Sequence, residues 1–282
     1  EFAWMPWKTD LISGTLNAAI RELPTRGITG AYPAFGGRFA LIRNSNALEL
    51  LGKGMSPTEG DLKGDKELLP GKLTRLDVRP GDVFIHACNG SGGIGEPLER
   101  ELWRIEDDYL RGELSEKVAK LAYGAIIDLS TGKVDADATK KERERIRAAR
   151  LDRSELAHPK RGKLEGGKKL RPINWYLDLV EKDDMQYIMC NRCNQIICDR
   201  GQQWREFVAT SVREASEAMM ETLGIWTGKR VNPPLTMMVE YFCPGCGQSL
   251  NVDILTEDIT DEKPLPVREE PDFLFGSHNL DS

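Results

Sequence analysis

Six cysteines occur in this chain, and four of them fall in two C-x-x-C pairs, Cys190-Asn191-Arg192-Cys193 and Cys243-Pro244-Gly245-Cys246. A C-x-x-C pair closes into a tight knuckle that points two sulfurs at one place. Two knuckles supply the four soft ligands that tetrahedral Zn²⁺ prefers. Pro244 and Gly245 also suit the turn. The 49 residues between the pairs exceed the ~15 to 20 of a simple ribbon, so a helix and a crossover are expected to fill that interval. Structural zinc is the leading reading. A redox disulfide needs only one such pair, usually at a helix start, whereas both pairs here adjoin strand-like segments. A catalytic zinc keeps an open position and usually takes His or carboxylate, and none of His86, His158 and His278 lies in a knuckle. Cys198 reads as a small buried residue, a substitute ligand only if the register differs.

A second stretch able to do chemistry is Asn89-Gly90-Ser91-Gly92-Gly93-Ile94-Gly95-Glu96-Pro97, which joins a strand to a helix. Backbone amides in such a loop can hold phosphate, which makes Gly90, Gly92, Gly93 and Gly95 candidate ligand contacts. Its spacing fits neither a Walker nor a Rossmann motif, and Glu96 and Glu99 stand where the anion would dock. The competing reading is a tight connection where backbones approach closely. His86 and Cys88 share one strand face just before the loop, as catalytic candidates or as ordinary core residues.

Several elements must position these groups. Pro- and Gly-rich residues 1 to 70 disfavour long helices, with a short one expected around Ser13 to Leu23. Leu73–Val78 and Asp82–Cys88, about Arg79-Pro80-Gly81, read as a β-hairpin whose second strand is apolar on both faces. Leu98, Leu102, Ile105 and Tyr109 recur at helical spacing, with Gly112 to stop the helix. A second helix is predicted from Ser115, an N-cap, to Tyr123, then a strand over Ala125 to Leu129 and a charged helix from Asp137 to Arg153. In the second half, a long helix is predicted over Gln202 to Leu223, with Trp204, Phe207, Val208, Val212, Ala215 and Met219 on one face and Gly224 at its end. Past Pro233-Pro234, strands are predicted over Thr236 to Phe242 and Leu250 to Ile254. The acidic last 25 or so residues read as an irregular tail that orders against a partner.

The 282 residues allow one large domain or two modest ones. With 39 Lys+Arg against 45 Asp+Glu the net charge is −6, which argues against a general nucleic-acid or anionic-membrane binder. It is not evenly spread. Residues 140–171 carry a local +8, leaving −14 elsewhere, and Pro159, Gly162, Gly166 and Gly167 mark that run as an exposed linker. No apolar stretch approaches the ~18 residues of a membrane span. Few cysteines and no secretory signal point to a reducing compartment, the cytoplasm. The chain starts at Glu1, in keeping with trimming or with a fold begun on another polypeptide.

Two family resemblances sit on these residues. Gly27-Ile28-Thr29-Gly30, Gly37-Arg38-Phe39, Leu69-Pro70-Gly71-Lys72-Leu73-Thr74, Arg79-Pro80-Gly81-Asp82-Val83, the run Gly90 to Arg100, and Tyr123-Gly124 follow the order of blocks in the C-terminal part of the hydantoinase B/oxoprolinase family. That resemblance covers about residues 25 to 155. Ser91, Ile94 and Glu96 depart from that family's usual Gly, aromatic and Asp. Residues 171–256, with Trp175-Tyr176-Leu177 and both knuckles, resemble the small zinc-binding gamma subunit of acetone carboxylase-type enzymes.

Together the resemblances imply an α+β protein divided into a hydantoinase B-like region over 1–156, a basic linker over 157–172, a zinc-knuckle module with one long helix over 173–256 and an acidic tail over 257–282. They imply a subunit of an ATP-dependent ketone carboxylase of the acetone or acetophenone type, with bicarbonate as carbon source. The expected partners are a hydantoinase A-like subunit and a truncated hydantoinase B-like subunit, with ATP and Mg²⁺ or Mn²⁺ on those partners. The isolated chain is expected to be inactive. An ATP-dependent hydantoinase, oxoprolinase or lactamase subunit, and a non-catalytic zinc-ribbon assembly protein, are the alternatives.

Overall fold

A computed structural model describes residues 2–17, 25–34, 37–88, 90–223 and 236–256. The protein is mixed, with more strands than helices among the described residues. Two compact units are present: one from the described residues of 2–25 and 34–91, the other from those of 26–33, 92–223 and 236–256.

In the first unit, β1 (Phe2–Trp4), β3 (Arg38–Arg43), β4 (Asp65–Leu69) and β6 (Val83–Ala87) form an antiparallel sheet in the order β1-β6-β3-β4, while β2 (Ile12–Asn17) pairs with β5 (Lys72–Val78); α1 (Ala47–Gly52) joins β3 to β4. β6 is buried on both faces, as its composition requires. Val83 and Ile85 pack with Ala40, Ile42 and Ala47 on one side. Phe84 packs with Phe39, Leu41, Leu76 and Val78 on the other. The expected hairpin is therefore corrected: both strands exist, but the Arg79-Pro80-Gly81 turn carries the chain from one sheet to another. Because both faces of β6 are apolar, a second layer must cover one of them, and Leu76 and Val78 of β5 do so. Asp82 pins the turn by accepting from the Arg79 amide at 3.0 Å and from Arg43 Nη1 at 2.9 Å. The helix expected around Ser13 to Leu23 is likewise corrected. Residues 12–17 are a strand, with Ile12 opposite Val78 and Leu16 opposite Leu73, because β5 needs a hydrogen-bonding neighbour. Residues 18–23 lie outside the described residues.

The second unit begins with α2 (Leu102–Leu110), α3 (Glu116–Tyr123), the short pair β7 (Ile127–Asp128) and β8 (Lys133–Val134), and α4 (Ala136–Asp152). Ser115 caps α3 through the Val118 amide, and Gly124 ends it in the left-handed region. Leu98 falls in a separate 3₁₀ turn, Pro97–Glu99, ahead of α2. The strand expected over 125–129 shrinks to two residues.

A four-stranded antiparallel sheet follows, β12-β11-β10-β9, built from β9 (Lys168–Pro172), β10 (Leu177–Lys182), β11 (Met185–Cys190) and β12 (Ile196–Asp199). A second sheet, β13-β14-β15, comprises β13 (Ala209–Glu214), β14 (Thr236–Phe242) and β15 (Ser249–Thr256); α5 (Ala215–Leu223) follows β13. One core lies among Leu177, Leu179, Ile188, Ile197, Val239, Tyr241 and Leu250. Another joins Ala218 and Met219 of α5 to Met238, Val252 and Ile254.

The long helix expected over 202–223 is corrected here. A 3₁₀ turn at Trp204–Phe207 and strand β13 occupy its first half, and only Ala215–Leu223 is α-helical. The expected single apolar face is shared out: Trp204 and Val208 enter the first core, Ala215 and Met219 the second, and Val212 is 55% exposed. Pairing of β13 with β14 overrides helical spacing because the β-branched Thr210 and Val212 favour extended backbone. Gly224, Pro233-Pro234 and the tail over 257–282 lie outside the described residues. The basic run is not a free tether. Glu155 and Lys163 bridge to Thr210 and Gln195, and Leu164 is buried, all within the second unit.

Candidate metal centre

Strand β11 ends on Cys190 and β14 runs directly into Cys243, so each sheet delivers one knuckle to the same place. The two turns repeat one hydrogen-bond scheme. The Cys190 amide donates to Gln195 O and the Asn194 amide to Cys190 O, both at 2.9 Å; the Cys243 amide donates to Gln248 O and the Gly247 amide to Cys243 O, also at 2.9 Å. Asn194 and Gly247 take the same left-handed conformation, at φ +59° and +68°. Gly245 is required because a Cβ there would stand 2.9 Å from Gln195 Cβ and 3.0 Å from Cys193 Sγ.

The four sulfurs lie within 4.8 Å of one another. Cys193 Sγ is 3.6 Å from Cys243 Sγ, and Cys190 Sγ is 4.0 Å from Cys246 Sγ. A tetrahedron with Zn–S bonds of about 2.3 Å has edges of about 3.8 Å, so the donor set fits such an ion in number, softness and spacing. Hydrogen bonding from neighbouring sulfurs lowers the Cys193 thiol, and the same contacts raise Cys243. A cation would favour the thiolate at all four. Cys190 and Cys243 are buried while Cys193 and Cys246 are partly exposed, which leaves the centre an entry side. Cys198 is outside the group of four: it is buried, and burial pushes its thiol up to about 12.

The second knuckle rests on α4. A Cβ on Gly247 would lie 2.4 Å from Arg147 O, and Arg150 Nη1 donates to Gly247 O at 3.2 Å. Arg150 also holds Glu96 at two points, Nη1–Oε2 2.8 Å and Nη2–Oε1 2.9 Å. Glu96 additionally accepts from the Ser249 and Leu98 amides at 2.8 and 3.2 Å. Beside this pair, Tyr32 donates to Glu240 Oε1 at 2.9 Å, and Arg153 and Arg213 both bind the Glu240 carboxylate. Burial raises the Tyr32 hydroxyl well above its ordinary value, so it stays a donor.

Backbones approach closely at the glycine loop. Gly92 would place a Cβ 2.0 Å from Arg26 O. The amides of Gly93, Gly95 and Glu96 donate to Tyr32 O, Ile28 O and the Tyr176 hydroxyl, so these three are committed within the protein. His86 stacks on Phe39 with ring centroids 4.6 Å apart and meets Phe2 edge-on; Cys88 is half-buried nearby in sequence. His158 stacks on Phe207, and His278 lies outside the described residues. Composition alone presents 140–171 as a solvated charge run, which hides Arg147 and Arg150, both buried. Their only signal is spacing, since 143, 147 and 150 fall on one face of a helix.

The segment that holds both knuckles matches a known family. Residues 169–265 match the family of the acetone carboxylase gamma subunit. The chain is also 34% identical over 132 residues to the acetophenone carboxylase delta subunit of Aromatoleum aromaticum, covering 43% of this chain and 18% of that protein. It is 29% identical over 149 residues to the acetone carboxylase alpha subunit of Xanthobacter autotrophicus, covering 45% and 19%. A shorter match, 39% over 66 residues, covers 23% of this chain and 11% of the caprolactamase beta subunit of Pseudomonas jessenii. The chain thus spans less than a fifth of the length of each of these relatives. No described helix is long and apolar enough to cross a membrane.

Proposed function

We propose that this chain is a subunit of an ATP-dependent ketone carboxylase complex, of the acetone or acetophenone type, that uses bicarbonate as its carbon source. The observation that carries this reading is the joining, in one chain, of a segment matching the gamma subunit family with sequence similar to carboxylase alpha and delta subunits. In this reading Cys190, Cys193, Cys243 and Cys246 hold one structural Zn²⁺. The ion ties β11 to β14 and leaves no open position for chemistry. ATP and its Mg²⁺ or Mn²⁺ belong to a hydantoinase A-like partner, and a truncated hydantoinase B-like partner is completed by this chain. The isolated chain is then inactive, and the complex is cytoplasmic.

The caprolactamase match favours a second reading, a subunit of an ATP-dependent amide- or lactam-opening enzyme. Labelled bicarbonate separates the two. ATP- and ketone-dependent fixation by the complex purified through this chain supports the carboxylase. Ring opening of a lactam or hydantoin without fixation refutes it. Full activity after removal of this chain would instead make it an assembly factor.

A further inference from the structure

A cleft of about 400 Å³ opens in the second unit between α4, the Pro97–Glu99 turn and the first knuckle. Lys140, Arg143, Arg147 and Arg192 line it, against Glu99 and Glu144. Four cations facing two carboxylates leave two positive charges uncompensated. Arg192 is paired with Glu99 at 2.6 Å. Arg143 spends its described hydrogen bonds on the carbonyls of Tyr123 and Arg100, which do not neutralise it. Arg147, one turn further along α4, is 8% exposed, lines the cleft and forms no ion pair among the described residues. Like charges one turn apart on a helix repel, and a mostly buried guanidinium without a carboxylate partner is costly. An arrangement of this kind calls for an anion.

We infer that this cleft is a binding site for a phosphate-type dianion, either free phosphate or the phosphoryl head of a small organic molecule, held by Arg147 and Arg143 with Lys140 at the rim. A dianion matches the excess charge, and a phosphoryl group offers the oxygens a guanidinium fork engages at two points. The cleft's size suits a small molecule. The inference rests on α4 and its neighbours and is independent of the carboxylase reading.

The test is calorimetric titration of the full 282-residue chain with inorganic phosphate and, separately, with glycerol 3-phosphate, at constant ionic strength set with sodium chloride. Saturable binding of either probe is expected. If both bind, free phosphate suffices; if only the ester binds, the ligand is an organic phosphate. Arg147→Lys, which keeps the charge but loses the fork, should weaken binding about tenfold. Lys140→Gln, at an exposed position that leaves the core untouched, should weaken it about threefold. Should Arg147→Lys fail to fold by circular dichroism, Lys140→Gln decides. Binding of neither probe, or affinity unchanged by the folded variants, overturns the proposal.

Discussion

Glu96 and Arg150, 54 positions apart in the chain, form a two-point ion pair in which neither side chain is more than 2% exposed. The pair lies where the end of the glycine loop, α4 and the second knuckle converge, through the Ser249 amide and Gly247 carbonyl. The ring of Phe242 lies 5.1 Å from the guanidinium. With these contacts the pair ties the end of the glycine loop and α4 to the second knuckle within one packed unit.

Breaking this pair should be severe. Glu96→Gln or Arg150→Met leaves one charge buried without its partner, and either change should cost about 3 to 5 kcal/mol of unfolding free energy in urea titration. The double variant should lose less than the sum of the two. Single variants within about 1 kcal/mol of wild type would mean that the pair is solvated.

The same carboxyl sets a pH dependence. Burial pushes Glu96 up, but the charge and hydrogen bonds of Arg150, with the Ser249 and Leu98 amides, more than reverse this and hold it below its ordinary value. A depressed folded value means that the unfolded chain takes up the proton more readily. The stabilisation is thus complete above the unfolded pKa of ~4.3 and is lost as pH falls below it. Stability measured between about pH 5 and pH 3 should fall more steeply in wild type than in Glu96→Gln. Parallel curves would show that another group is responsible.

Metal content gives a direct check on the cysteines. About one zinc per chain is expected by elemental analysis, and Cys190→Ser or Cys243→Ser should lower both metal retention and melting temperature. Cys198→Ser should retain the metal, since that thiol stands outside the cluster. A Cys190→Ser or Cys243→Ser protein with full zinc and unaltered stability would rule out four-sulfur ligation.

Glycine substitutions test the seat of the second knuckle. Gly247 is left-handed, and a Cβ there would meet the Arg147 carbonyl at 2.4 Å, so Gly247→Ala should cost at least about 2 kcal/mol. At Gly162 a Cβ would meet nothing within 4 Å, so alanine there should be tolerated within about 0.5 kcal/mol. Equal costs at the two positions would contradict the close approach.

Legibility followed the range of the interactions. The Ser115 cap, the end of α3 at Tyr123 and the extent of α4 are set by neighbours a few residues away, and each is readable in the sequence. The segments 12–17, 73–87 and 202–214 depart from expectation for a shared reason. Apolar spacing reveals that a segment has an apolar face but does not name the strand it pairs with, and here the partners were β5, β2 and β14. The glycine loop is ambiguous on the same ground, because a glycine that admits a ligand and one that admits another backbone look identical in sequence.

By itself the sequence determined the four-sulfur donor set, because ligand type and C-x-x-C spacing are covalent properties of a short segment. It likewise carried the resemblance to carboxylase subunits. Only the tertiary structure decided the fate of the basic run. Arg150 meets Glu96 and is neutralised, whereas Arg147, three residues earlier, is buried beside a cleft with no ion pair among the described residues. Neutralisation requires contact between segments far apart in the chain, and the cost of a buried charge depends on what the fold packs around it.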